Sequence, residues 1–150
     1  MIRRSCMVAE DQALIAMSIE AYLEESGFEV AGPFPTSAKA LKWLERATPG
    51  LAILDVMLQD GPSLRLAREL KARAIPFVIY SGLPPTPTIP PEFQDVPWLE
   101  KPVSRENLAR TLEQMAAAAG ETYSPKNIAS ASAEYLGSFE AKPLVYAQRR

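Results

Sequence analysis

The chain contains no histidine and a single cysteine. Without histidine there is no imidazole to serve as general base, to ligate a metal or to act as a phospho-histidine donor. A lone Cys6 inside an apolar stretch excludes a disulfide framework; it reads as a small buried hydrophobe in a protein of the reducing cytoplasm. Long hydrophobic runs are missing too, since no stretch approaches the roughly 20 apolar residues of a membrane helix. The opening Met1-Ile2-Arg3-Arg4 looks like the start of a signal peptide, but the apolar stretch behind it stops at Glu10-Asp11, too soon for an h-region. Charge of one sign is scarce as well. A net charge of −2 over 150 residues implies no general affinity for nucleic acid or for an anionic membrane surface. What remains is ordinary for a soluble globular chain, 47% hydrophobic and 23% charged, with enough residues for one domain with a real core.

Strand and helix patterns alternate along this chain. Residues 4–9 read as a strand. From Asp11 to about Ser26, Leu14, Ile15, Met17, Ile19, Tyr22 and Leu23 fit a helix with Asp11 as its cap and Gly27 at its close. Phe28-Glu29-Val30-Ala31 reads as a short strand, and Ser37 caps a second helix running to Arg46. Residues 51–55 form a central strand, a third helix spans Ser63 to about Arg73, and residues 76–80 make the next strand. The rhythm then breaks. Between Leu83 and Pro97 lie Pro84, Pro85, Pro87, Pro90, Pro91 and Pro97. Proline removes amide donors and disfavours helix interiors, so a proline-rich loop replaces or shortens a fourth helix. A fifth strand at about 96–99 and a last helix, capped by Ser104 and carrying Leu108, Leu112 and Met115 inward, complete an open, parallel, five-stranded α/β sheet. The domain is expected over residues 1–120. Residues 121–150 form a C-terminal extension with no separate domain, rich in aromatic and aliphatic side chains such as Tyr123, Tyr135 and Phe139. Apolar residues at that density are expected to cover a surface, the one left bare by the missing helix, on the same chain or on a second copy.

Asp55 is the residue that most needs explaining. It ends the run Leu51-Ala52-Ile53-Leu54, a sequence fit for a strand buried on both faces. A carboxylate there is costly to bury unpaired, yet open α/β sheets bind ligands at the carboxyl ends of their strands. Glu10 and Asp11 end the first strand, Ser81 follows the fourth and Lys101 follows the fifth. Each alone has a plain reading: a helix-capping acid pair, a turn at Ser81-Gly82, a solvated lysine loop. Together they bring three carboxylates, a hydroxyl and an ammonium to one sheet edge. Carboxylates ending adjacent strands can share one divalent cation, and Mg²⁺ is the hard, oxygen-loving candidate. Lys101 would offset charge and Ser81 would donate to a phosphoryl oxygen.

With Glu10-Asp11, Leu54-Asp55-Val56-Met57-Leu58, Ser81-Gly82 and Trp98-Leu99-Glu100-Lys101-Pro102, the chain resembles the receiver domain of two-component response regulators over about residues 4–118. The 44-residue step from Asp11 to Asp55 suits that family, as does an aromatic three residues before the lysine. The resemblance implies a flavodoxin-like receiver fold and a phosphoryl group accepted by Asp55. It implies Mg²⁺ held by Glu10, Asp11, Asp55 and the backbone carbonyl of Met57, with Lys101 paired to the phosphoryl group. Ser81 becomes the switch hydroxyl, Trp98 the switch aromatic, and Lys101-Pro102 a cis peptide bond. The implied partners are a histidine kinase or phosphotransfer protein and a downstream protein of unknown identity, with self-association left open. The loop region is similar to a subset of short stand-alone alphaproteobacterial receivers, which usually carry Phe-Ala-Thr-Gly where this chain has Ile79-Tyr80-Ser81-Gly82. The alternatives are a receiver-fold binding module indifferent to phosphorylation, and a phosphohydrolase. The latter wants a second aspartate two residues after the first, where this chain has Met57.

Overall fold

Period-two alternation along buried strands sets the architecture. The computed structural model describes residues 4–84 and 89–118. Five parallel strands, β1 (Arg4–Ala9), β2 (Phe28–Phe34), β3 (Leu51–Leu54), β6 (Phe77–Ser81) and β7 (Trp98–Glu100), lie in the order β2-β1-β3-β6-β7. Successive side chains leave opposite faces of such a strand. Met7, Ala52, Leu54, Phe77 and Ile79 accordingly pack on one face with Ala40 and Leu44 of α2 (Ser37–Leu44) and Leu66 and Leu70 of α3 (Leu64–Ala72). Cys6, Val8, Ile53 and Val78 pack on the other, with Ile19 and Leu23 of α1 (Ala13–Glu25) and Leu108 and Leu112 of α4 (Arg105–Ala118). Both faces are covered, which is why the central strands read as unbroken apolar runs. Strand order reverses at β1, and the carboxyl ends of β1 and β3 flank that switch point, where open sheets of this kind bind ligands. The full burial of Cys6 holds its thiol far above the ordinary range, as a small hydrophobe rather than a reactive group.

Several boundaries differ from the sequence reading. Gln12, not Asp11, occupies the N-cap position of α1, and no side chain caps that helix end. Thr36, not Ser37, caps α2, its hydroxyl accepting the Lys39 amide at 3.1 Å. Ser104 does cap α4, accepting the Asn107 amide at 3.1 Å. β2 runs on to Phe34 instead of stopping at Ala31. The extension passes through a cis Gly32-Pro33 bond, and a Cβ at Gly32 would fall 2.7 Å from the Val8 carbonyl at a φ of +100°, so only glycine fits there. It brings the Phe34 carbonyl onto the Glu10 amide at 3.0 Å, fixing the end of β1. The last strand is 98–100 instead of 96–99.

A small antiparallel hairpin, β4 (Met57–Leu58) and β5 (Gly61–Pro62), follows Asp55 and was not visible in the sequence. Two residues per strand carry too little pattern to be read. Its tip bears Asp60, whose carboxylate accepts the Ser37 and Ala38 amides at 2.9 and 3.1 Å. The free amides at the start of α2 are thus satisfied from another part of the chain.

The proline-rich segment carries no α-helix among its described residues, only a single 3-10 turn at Pro91–Phe93. It does not leave the sheet bare, which corrects the expectation of an uncovered surface there. Ile89, Phe93 and Trp98 are all buried in the α2–α3 face of the core, with Phe93 edge-on to Trp98 at 6.2 Å. Arg68 and Lys71 of α3 hold the loop from the side, Arg68 pairing with Glu92 at 2.6 Å and Lys71 donating to the Pro91 and Gln94 carbonyls. The reading of residues 121–150 as a packing element falls outside the described residues.

Asp60 offers a direct check on the hairpin. The Ser37 amide, followed by that of Ala38, holds the Asp60 carboxyl below the ordinary carboxylate range. A depressed folded value means the contribution is complete above the unfolded pKa and is lost as pH falls through the folded one. Asp60→Ala is expected to cost about 1 kcal/mol near neutral pH in urea unfolding. The gap to the wild type should narrow on acidification. A pH-independent gap would contradict the capping role.

Candidate functional site

Strand ends deliver the site. Glu10 sits just past β1, Asp55 just past β3 and Lys101 just past β7, its amide held by the Ser81 carbonyl at 2.8 Å. Both Glu10 (3% exposed) and Asp55 (7% exposed) are buried carboxylates. Buried charge needs a partner, and here it is Lys101. The Lys101 Nζ lies 2.6 Å from Glu10 Oε1 and 2.8 Å from Asp55 Oδ2, with its side chain 9% exposed. A third contact runs to Gln12 Oε1 at 3.1 Å, and the ammonium stands 5.5 Å above the centre of the Tyr80 ring. The Lys101-Pro102 bond is cis, as the family resemblance implies.

Glu10, Asp11 and Asp55 present carboxylate oxygens within 4.8 Å of one another. Three carboxylates face one ammonium, so negative charge is in excess. The titration directions follow from burial set against these partners. Burial lifts the Glu10 carboxyl above its ordinary range, and the bonds from Lys101 and the Gln12 amide (3.0 Å) only partly oppose it. Burial pulls Lys101 the other way, but the Asp55 and Glu10 carboxylates outweigh it and raise the ammonium's pKa, so Lys101 stays charged. A hard donor set short of positive charge suits Mg²⁺, which keeps several waters and takes a few carboxylates.

The loop after Asp55 is held from inside. Ser63, fully buried at the start of α3, donates its hydroxyl to the Asp55 carbonyl at 2.6 Å and to the Val56 carbonyl at 3.1 Å instead of capping the helix. The Asp55 Oδ1 receives a long 3.4 Å bond from the Met57 amide, whereas Oδ2 pairs with Lys101 at 2.8 Å, so Oδ1 is the less committed of the two. Met57 lies in the hairpin with an exposed side chain.

Ser81 and Trp98 meet through the backbone of Leu83. The buried Ser81 hydroxyl accepts the Leu83 amide at 3.1 Å, and the Trp98 Nε1–H donates to the Leu83 carbonyl at 3.1 Å. Trp98 is thus turned inward, 6% exposed, while Leu83 itself is 61% exposed. Of the residues singled out in the sequence, Glu10, Asp11, Asp55 and Lys101 come together directly, and Ser81 and Trp98 form a second linked pair. Gln12, Tyr80, Ser63 and Asp60 were missed. The only sequence signal for Gln12 was its place after the acid pair, and for Tyr80 its place before Ser81.

The model of the response regulator receiver domain matches residues 6–113. The chain belongs to the response regulator receiver family. Among curated proteins it is 36% identical to the phyllosphere-induced regulator PhyR of Methylorubrum extorquens over 81 residues, 52% of this chain and 30% of that protein. It is 30% identical to the transcriptional regulatory protein PdtaR of Mycobacterium tuberculosis over 82 residues, 54% of this chain and 40% of that one. The chain therefore spans well under half the length of these relatives. Among solved structures it is similar to SdrG from Sphingomonas melonis Fr1, with 34% identity, a TM-score of 0.64 and coverage of 75% of this chain and 96% of that one. A CheY-like response regulator receiver domain from Methylobacillus flagellatus shares the fold at a TM-score of 0.64, with 23% identity and coverage of 76% of this chain and 99% of that one. Receiver domains are signalling modules rather than enzymes in general. They act with histidine kinases or phosphotransfer proteins and typically bind Mg²⁺ at an acidic pocket, which the Glu10, Asp11 and Asp55 cluster provides here. No helix among the described residues is long and apolar enough to cross a membrane.

Removing the ammonium tests the charge balance. Lys101→Met leaves the buried Glu10 and Asp55 without their cation and should cost about 3 kcal/mol in metal-free urea unfolding. Added Mg²⁺ should recover part of the loss. Wild-type stability in metal-free buffer would show that Lys101 does not balance these charges.

Proposed function

We propose that Asp55 accepts a phosphoryl group from the phospho-histidine of a separate kinase or phosphotransfer protein, and that this stand-alone receiver of the cytoplasm signals through protein contacts. The observation that carries the reading is the Lys101 ammonium placed 2.8 Å from a buried strand-end carboxylate. An Asp55 oxygen attacks the donor's phosphorus in line; the O–P bond forms as the N–P bond breaks, and the imidazole nitrogen leaves with the electron pair. Lys101 neutralises charge that develops on the phosphoryl oxygens. Glu10, Asp11, Asp55 and the Met57 carbonyl would hold Mg²⁺, which supplies further charge neutralisation when bound. The chain's lack of histidine means the donor imidazole comes from another protein.

Readout then runs through Leu83. A phosphoryl oxygen that recruits the Ser81 hydroxyl takes it from the Leu83 amide, and the same peptide segment anchors the Trp98 indole. Loosening both bonds changes the surface around the exposed Leu83 and the loop that follows.

Acetyl phosphate with Mg²⁺, followed by intact-mass measurement, tests the reading. One phosphoryl group should appear on the wild type and none on Asp55→Asn. Equal labelling of the Asn variant would place the acceptor elsewhere, and no labelling of either would favour a module indifferent to phosphorylation.

A further inference from the structure

We propose that the Gln12 carboxamide holds the place on Lys101 that a phosphoryl oxygen occupies once Asp55 is phosphorylated, so that Gln12 is a positioning residue setting how fast the group is taken up. The inference rests on the phosphoryl-acceptor reading of Asp55. An ammonium has three N–H donors and no acceptor. In this structure its three oxygen partners are Glu10 Oε1 at 2.6 Å, Asp55 Oδ2 at 2.8 Å and Gln12 Oε1 at 3.1 Å. The Tyr80 ring lies 5.5 Å away and adds no further oxygen acceptor. With every donor engaged, an arriving phosphoryl oxygen reaches Lys101 only by displacing one partner.

The three partners are unequal. Charge-assisted bonds to carboxylates are shorter and about twice as strong as those to neutral acceptors. Glu10 and Asp55 are buried carboxylates, whereas Gln12 is neutral, exposed and the most distant. Gln12 is therefore the partner that yields. Its backbone cannot move away with the side chain. The Gln12 amide is bound by Glu10 Oε2 at 3.0 Å, and its carbonyl accepts the Ala16 amide at 2.9 Å to start α1. The side chain occupies the N-cap position without capping, its carbonyl oxygen turned to Lys101 instead. Because Lys101 only donates, the carboxamide oxygen must face it, which leaves the NH₂ group on the other side.

Substitutions that keep the backbone separate this role from helix capping. In the full chain with acetyl phosphate and Mg²⁺, Gln12→Glu should slow phosphoryl uptake on the order of tenfold, because an isosteric carboxylate binds Lys101 more tightly and adds negative charge at the mouth. Gln12→Ala should speed uptake by about threefold, since only water then competes for the ammonium. The ¹⁵Nζ resonance of Lys101 should move in both variants before any donor is added, a change that loss of a purely structural residue does not require. Slower uptake in Gln12→Ala, an unchanged rate in Gln12→Glu, or an unmoved Lys101 resonance overturns the proposal. If the wild type takes up no phosphoryl group, the acceptor reading falls and this inference with it; uptake by the wild type without the Glu effect removes this inference alone.

Discussion

The ammonium of Lys101 is the interaction on which the arrangement of this molecule depends. It joins the end of β7 to the ends of β1 and β3 through Glu10 and Asp55. Those carboxylates would be prohibitively costly to bury alone. Even with the ammonium present, Asp11 leaves the cluster short of positive charge. Such a site is not built for stability, because buried ion pairs rarely gain over apolar packing of the same volume. Its excess of hard carboxylate donors suits a divalent cation, and the proposed function adds an anionic group on Lys101.

The rest of the fold serves to hold those side chains in place. A bulged, glycine-dependent β2 sets the Glu10 amide against the Phe34 carbonyl. Ser63 gives its hydroxyl to the carbonyls of Asp55 and Val56, and Asp60 ties the following hairpin to α2. These restraints act on backbone, where a site needs precision, while the exposed Gln12 side chain is held by one 3.1 Å bond to Lys101 and the Leu83 backbone by its bonds to Ser81 and Trp98. The loop that stands in for a helix is anchored by Phe93 and Trp98, so the tryptophan proposed as the switch aromatic is also a core residue. Any movement of Trp98 must therefore disturb the packing of that loop, which under the proposed function would couple Asp55 to an extended stretch of surface.

Much of this was legible in the sequence. The alternation of strands and helices, the parallel sheet and the meeting of Glu10, Asp11, Asp55 and Lys101 followed from apolar runs ending in charged residues. The lack of an α-helix in the described part of the proline-rich segment followed from missing amides. What was not legible depends on tertiary partners. Asp60 caps a helix 23 residues away, and Ser63 turns from helix capping to a buried carbonyl. Gln12 gave no signal beyond its place after the acid pair, because its partner is Lys101, 89 residues distant. The loop's own coverage of the sheet depended on Ile89 and Phe93, isolated apolar residues with no period to betray them.

The measurement that bears most directly on the central claim is thermal unfolding across a Mg²⁺ titration in the wild type and Asp11→Asn. A ligand that binds only the folded state stabilises it by about 2.7 kcal/mol at 100 times its dissociation constant. The wild type should gain stability with Mg²⁺. Asp11→Asn, relieved of one like charge, should start at least as stable without metal and respond far less. Parallel gains in the two proteins, or a variant much less stable in metal-free buffer, would contradict a site defined by its excess of negative charge.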